Sequence, residues 1–404
     1  MIGRGEPGAP LRLAPWLAMA LVLVLTLAGP GAAAQQAGTT GVVALDARVF
    51  LEAPPFGRQD RHGAGGSLEL ERRWRVGANA LSLKPHLRVD QTGQYIDLRE
   101  ALWERDIGKL NVRAGFQKVF WGVMESNHLI DIINQTDQAS DPDGEEKFGQ
   151  PMVALGWSVE GLGRFELFHL PYFRERRLPG PRARLRPDPP PAQRGNLNPG
   201  GRWHPDFAAR WSTSSQLADV GMYVFRGLSR EPDLTLLGPD TVAPVLQASY
   251  RPITQFGADV QLPSGSMMWK GEMLYRRGHG RPFSAFSVGG EYTWPFAVGD
   301  LGLIVEWSRD YRDTTAPMSY FSKALFAGVR YRMNNQHDSE VIVGHQIDRS
   351  NHLRFVSVEM SRRLGDNWKL QVEGKKFMLR DATISPLAVL QEESYLQAKL
   401  SYFF

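Results

Sequence analysis

Apolar and polar residues alternate with period two through most of this chain. The pattern is clearest in Ser394-Tyr395-Leu396-Gln397-Ala398-Lys399-Leu400-Ser401-Tyr402-Phe403-Phe404. In an extended strand Phe404, Tyr402, Leu400, Ala398 and Leu396 share one face, and Ser401, Lys399 and Gln397 share the other. A strand with one apolar and one wet face, ending on phenylalanine, is how a transmembrane barrel closes. Tyr402 and Phe404 are therefore the candidate signal for barrel-assembly machinery.

The same reading predicts eighteen strands, at about 42-52, 67-76, 79-90, 95-106, 109-120, 150-159, 163-173, 206-214, 218-227, 253-263, 266-277, 283-294, 300-311, 322-333, 338-349, 352-363, 366-378 and 392-404. Every even-numbered connection is short, from Gly77-Ala78 to Leu364-Gly365. The long connections, 53-66, 121-149, 174-205, 228-252, 312-321 and 379-391, are all odd-numbered. This is the arrangement of an all-β, antiparallel up-and-down barrel with periplasmic turns and external loops. Sixteen or twenty strands would fit the same logic. The weakest assignment is 243-252, short and ending in Pro252, which is placed in a loop.

In the third strand Leu81, Leu83, Leu87 and Val89 oppose Ser82, Lys84, His86, Arg88 and Asp90, so the charged set is expected to line a lumen. Equivalent positions add Glu69, Glu71, Arg73, Arg75, Arg113, Arg330, Arg332 and Glu373. Arg73, Arg75, Lys84, Arg88, Arg113, Arg330 and Arg332 form an expected basic wall. The fourth and fifteenth strands alternate less clearly, and their faces stay unassigned. Trp74, Trp103, Trp157, Trp294, Trp368 and Tyr402 lie toward the periplasmic strand ends. Phe50, Phe120, Trp121, Phe173, Phe225, Tyr275, Tyr311 and Phe377 lie toward the outer ends. Both sets suit an interfacial girdle.

Residues 1-34 read as a secretory signal peptide: Arg4 and Arg12, an apolar run from Leu13 to Leu27, then Ala32-Ala33-Ala34. The run is shorter than the roughly 20 residues of a membrane-spanning helix. Cleavage after Ala34 leaves a barrel domain of 35-404. A mean hydropathy of −0.31 excludes a helical membrane protein but suits a barrel with one lipid face per strand. The net charge of +4 includes the leader, and no zinc spacing, basic helix or RNA-binding motif points to nucleic acid. No cofactor or metal is expected.

Connection 121-149 carries Leu129, Ile130, Ile132 and Ile133 and is too apolar to lie free in water. Packed on the inner wall, it would set Trp121, Glu125, Asp131, Asn134 and Asp137 at a constriction facing Arg73, Arg75, Arg88 and Arg113, with a transverse field between them. An external cap is the alternative. Asp141-Pro142-Asp143-Gly144-Glu145-Glu146 gathers oxygen ligands without full EF-hand spacing. The arginine- and proline-rich 174-205 would meet lipopolysaccharide phosphates at the cell surface or lie solvated. Ser126 and His128 are close in sequence, but no GxSxG or HExxH motif accompanies them, so no catalytic residue is expected.

Trp121-Gly122 with Glu125, Asp131-Ile132-Ile133-Asn134 and Gln150-Pro151-Met152 occur in that order. Together with Asp97-Leu98-Arg99-Glu100, Phe173-Arg174-Glu175-Arg176 and Tyr402-Phe403-Phe404, they resemble an uncharacterised group of Gram-negative outer-membrane barrels. The resemblance implies a fold and an outer-membrane location. It extends more distantly to porin-like barrels and to polysaccharide exporters of the alginate type, whose lumen is arginine-rich. Glu69, Glu71, Asp90 and Glu373 interrupt such a basic track here. The expected function is passive passage of small hydrophilic solutes; polymer export or uptake is the alternative, and an enzyme a third. Membrane lipid, lipopolysaccharide and the assembly machinery are the expected partners, and no residue identifies an oligomer face.

Overall fold

The computed structural model describes residues 35–404 except 58, 92, 142–143, 193–195, 198–200, 239–243 and 380–386. The expected leader, 1–34, lies outside the described residues. Eighteen antiparallel strands form one sheet closed on itself. In chain order they are β1 Gln35–Phe50, β2 His62–Val76, β3 Asn79–Asp90, β4 Gly93–Ile107, β5 Leu110–Gln117, β6 Gln150–Val159, β7 Gly163–Leu170, β8 Asp206–Ser214 and β9 Asp219–Leu228. The circuit continues through β10 Pro252–Ser264, β11 Met267–Gly278, β12 Gly280–Phe296, β13 Gly299–Asp310, β14 Lys323–Met333, β15 Glu340–Asp348, β16 Leu353–Arg363, β17 Trp368–Leu379 and β18 Tyr395–Phe403. Each pairs with its sequence neighbours, and β1 meets β18 from Val42↔Phe403 to Phe50↔Tyr395. Closure matters because an open edge would expose unpaired N–H and C=O groups to hydrocarbon.

Alternation sets the two faces as expected. Leu396, Leu400, Tyr402 and Phe404 are exposed on the outside, while Ser401 is buried inside. The indistinct fourth strand has a local cause. Lys84 pairs with Glu100 but Pro85 pairs with Leu98, so Arg99 is an extra residue in β4 and the alternation slips there.

The inner wall is not uniform. Met152, Ala154, Phe168, Leu170, Ala208, Tyr223, Phe225 and Ile253 form a buried apolar cluster on the inside of β6 to β10. Phe50, Trp121, Phe173 and Phe225 belong to this buried interior and its cap, not to the expected outer girdle; Phe120 and Tyr311 are exposed. Outside the wall, 245–250 is a strand and not the expected loop. It pairs antiparallel with 233–237 and in parallel with 196–197. It adds a small external sheet and leaves the barrel count unchanged.

Candidate functional site

Loop 121–149 turns into the barrel. Trp121, Ile130, Ile132 and Ile133 complete the apolar cluster on β6 to β10, with Ile130 and Ile133 fully buried. The Trp121 indole lies 4.8 Å from the Tyr223 ring and 5.7 Å from that of Phe168. This burial is the driving force for insertion, since each such side chain removed from water gains about 1.5–3 kcal/mol.

Two wall carboxylates then fix the backbone. Glu272 on β11 accepts N–H bonds from Val123 (2.6 Å), Met124 (3.1 Å) and Ile130 (3.3 Å). Glu306 on β13 accepts from the N–H groups of Glu125 (2.7 Å) and Ser126 (2.8 Å) and from the Ser126 hydroxyl (2.6 Å). Both side chains are buried and satisfied by charge-assisted bonds. Arg230 closes the far side, donating to the Ile133 carbonyl and to Asp206. None of these three residues was singled out from the sequence. The available signal is a lone glutamate at a lumen position of an otherwise regular strand.

The expected constriction residues divide into two groups. Glu125 reaches the opposite wall and pairs with Arg330 at 2.6 Å; Arg330 also meets Glu291 at 3.0 Å and Glu340 at 3.2 Å. Asn134 ties the loop's neck, accepting from the Val119 N–H and donating to the carbonyls of Gln117 and Phe148. Asp131 is buried against Lys147 at 3.3 Å, and Asp137 against Arg177 at 3.3 Å and Arg99 at 3.9 Å. Burial pushes the Asp131 carboxyl above its usual range despite Lys147. Asp131 is thus an internal brace of the loop, whereas Asp137 ties it to Arg177 of the external cap and to Arg99 of β4; neither meets Arg73, Arg75, Arg88 or Arg113.

The residues of the expected basic wall are mostly paired with carboxylates. Arg88 binds Asp46 (2.8 Å) and Asp90 (3.1 Å), and Arg113 binds Glu166 (2.7 Å). Lys84 binds Glu69 and Glu71, Arg73 binds Glu71, and Arg332 binds Glu340. Arg75 is exposed near the periplasmic end of β2. These pairs join lumen positions along one strand (Arg73–Glu71, Arg88–Asp90), on adjacent strands (Lys84–Glu69, Arg332–Glu340) and two strands apart (Arg88–Asp46, Arg113–Glu166), the last within reach of a long guanidinium side chain.

The arginines of 174–205 are similarly turned inward. Arg174 binds Asp97 at 2.6 Å, Arg184 binds Glu393 at 2.9 Å, and Arg202 binds Glu175 at 2.8 Å. They staple the external cap, while Arg182 and Arg202 stay exposed and Arg194 lies outside the described residues. In the acidic turn, Pro142 and Asp143 lie outside the described residues. Glu145 meets His128 at 2.9 Å, and Glu146 meets Arg99 (2.8 Å) and Lys118 (2.9 Å). Ser126 and His128 bond to different carboxylates, Glu306 and Glu145.

Open space remains on both sides of the inserted loop and beside it. About 1190 Å³ lies on the outer side, bordered by His128, Asp131 and Arg312, and about 1310 Å³ on the periplasmic side, under Trp121-Gly122-Val123. A cavity of about 470 Å³ runs beside the loop, from Arg48 and Gln397 down to Glu340 and Lys369. Its lining includes six cationic side chains (Arg48, Arg88, Arg99, Arg330, Lys369, Lys399) and seven carboxylates (Asp46, Glu125, Asp141, Glu146, Glu340, Glu359, Glu373).

No protein-family model matches this chain, and no curated protein does. Solved structures do. Wzi, an outer-membrane protein involved in group 1 capsule assembly in Escherichia coli and described as a carbohydrate-binding β-barrel, matches with a TM-score of 0.53 at 9% identity, over 97% of this chain and 89% of its own. An engineered Rh. blastica porin matches with a TM-score of 0.45 at 10% identity, over 91% of this chain and 100% of its own. A loop-deleted form of OmpT, an outer-membrane protein of Vibrio cholerae, gives 0.46 at 10% identity, over 91% and 99%. At such identities the likeness is one of fold. With its closed wall and apolar exterior, the chain is an 18-stranded transmembrane β-barrel of the bacterial outer membrane.

Proposed function

We propose that this barrel is a porin-like channel for passive passage of small hydrophilic solutes, and not an enzyme. The observation that carries this reading is the polar cavity beside the inserted loop. The loop docks on the apolar side of the lumen and leaves the polar side, β14 to β18 and β1 to β3, lined by charged and amide groups. Near-equal numbers of opposite charges suit neutral or zwitterionic solutes, because a lumen of balanced charge excludes neither sign strongly. A conduit for a long polyanion finds less support: Arg88, Arg113, Arg330 and Arg332 are each paired with carboxylates. On this reading the further partners are membrane lipid, lipopolysaccharide and the assembly machinery.

The test is single-channel recording of the refolded barrel in a planar bilayer, with the reversal potential measured in a salt gradient. Stable open steps with a small reversal potential are expected. Silence from a folded barrel would overturn passive passage.

A further inference from the structure

The outer wall of β10 to β13 holds a cleft of about 520 Å³, lined almost wholly by apolar groups. Two cross-strand rows build it. One reads Val260, Gly271, Val288, Trp307 and the next Leu262, Trp269, Gly290, Val305. Each row sets one glycine and one tryptophan on the lipid face, in opposite order, so a diagonal trough runs between the two indoles. Trp269 and Trp307 stand 52% and 46% exposed on its banks. The trough opens at Leu262, Trp269 and Tyr292, nearest the short turns and therefore in the periplasmic leaflet, and rises to Trp307 in the outer half of β13.

We propose that this cleft seats one acyl chain of a periplasmic-leaflet phospholipid. Hydrocarbon surrounds the site, and an unfilled trough would lose dispersion contacts along its whole lining. The occupant must be slender, since the protruding indoles hold any broad surface away. A second barrel would need on the order of 800 Å² of closely packed wall per partner. Tyr292 and Trp294, with ring centroids 4.3 Å apart, lie toward the periplasmic end, the depth at which amphipathic rings meet headgroups. The chain's ester end would sit there.

Gly271 is the position to fill. A Cβ there would lie 3.3 Å from Val260 Cγ1, a modest crowding, whereas one at Gly290 would strike Met267 and the Met268 carbonyl. The protein is refolded into vesicles of phosphatidylethanolamine and phosphatidylglycerol doped with a phosphatidylcholine carrying an acyl-chain diazirine, irradiated and mapped by peptide mass spectrometry. Adducts at Met267, Trp269 and Tyr292 should exceed those at Leu396 and Leu400 on β18 by about tenfold. Gly271→Leu should abolish that excess while labelling of β18 is unchanged. Even labelling around the barrel would overturn the proposal, as would cross-links from the cleft to a second copy. Channel activity is not read in this assay, so its outcome is separate from that of the transport reading.

Discussion

Replacing Glu306 with alanine should release the first limb of the inserted loop without dislodging its apolar root. The carboxylate is 1% exposed and takes two backbone N–H groups and one hydroxyl from Glu125 and Ser126. A donor left without its buried partner costs about 1–3 kcal/mol. Lumen water can reach part of the limb, so the two amides together should lose roughly 2–4 kcal/mol of protection. At 1.36 kcal/mol per factor of ten, amide hydrogen exchange at Glu125 and Ser126 should accelerate by about 30- to 1000-fold. Glu306→Gln keeps one acceptor oxygen and should fall between. Exchange at Ile130 and Ile133 should stay slow, because Glu272, Arg230 and the apolar cluster hold that part independently. Unchanged protection at Glu125 and Ser126 in a folded alanine variant would refute the view that this carboxylate anchors the limb.

Ion selectivity should be weak in the native barrel. Arg330→Gln should turn it toward cations by removing Glu125's partner and leaving Glu291 and Glu340 with only Lys270 and Arg332, and Glu125→Gln should turn it slightly toward anions, both read from reversal potentials. The His128–Glu145 pair should give the loop a pH optimum. Burial works against both charges, but their mutual hydrogen bond prevails, raising His128 above its ordinary 6.5 and holding Glu145 below its ordinary 4.5. The raised His128 contributes fully below 6.5 and fades as pH climbs through its folded value; the lowered Glu145 contributes fully above 4.5 and fades as pH falls through its own. Exchange protection of the loop should therefore be greatest between these limits, and Glu145→Gln should flatten the profile. Gly149→Ala should impair folding, since a Cβ there runs into the Leu98 and Arg99 carbonyls at the β4 bulge; normal yields of heat-resistant barrel would contradict this. Deleting Phe404, whose N–H and C=O both pair with Gly41, should lower outer-membrane insertion, and equal membrane levels would count against it.

The barrel was legible because its register repeats. Alternate residues must face lipid on every strand, and the short turns mark every second boundary. That connection 121–149 must pack on something was legible too, from Leu129, Ile130, Ile132 and Ile133, but an inner-wall seat and an external cap bury the same residues, so the direction was not. The docking wall was written less openly. Met152 and Ala154, or Tyr223 and Phe225, make their strands apolar on both faces, a departure from alternation that marks where something covers the lumen side. Charge partners were the least legible. Arg113 and Asp131 look like facing residues in sequence, yet Arg113 binds two strands away and Asp131 braces its own loop against Lys147. Such pairings depend on which loop atoms reach which wall height, and no short sequence pattern records that. Glu272 meets Val123 across 149 positions, a separation that alternation does not encode.

The β1–β18 seam places a demand on the order of assembly. Arg48 bonds Gln397 across 349 positions, whereas the other strand pairs can form between near neighbours in sequence. The hairpins can zip locally, but the ring gains its last ladder through a loop closure spanning most of the chain. Non-local contacts of that kind slow folding. Until the seam forms, the growing sheet has two adhesive edges that invite pairing with other chains. An unsealed intermediate is therefore the species most vulnerable to aggregation and proteolysis in transit. The seam is the step at which those two edges stop being exposed to other chains.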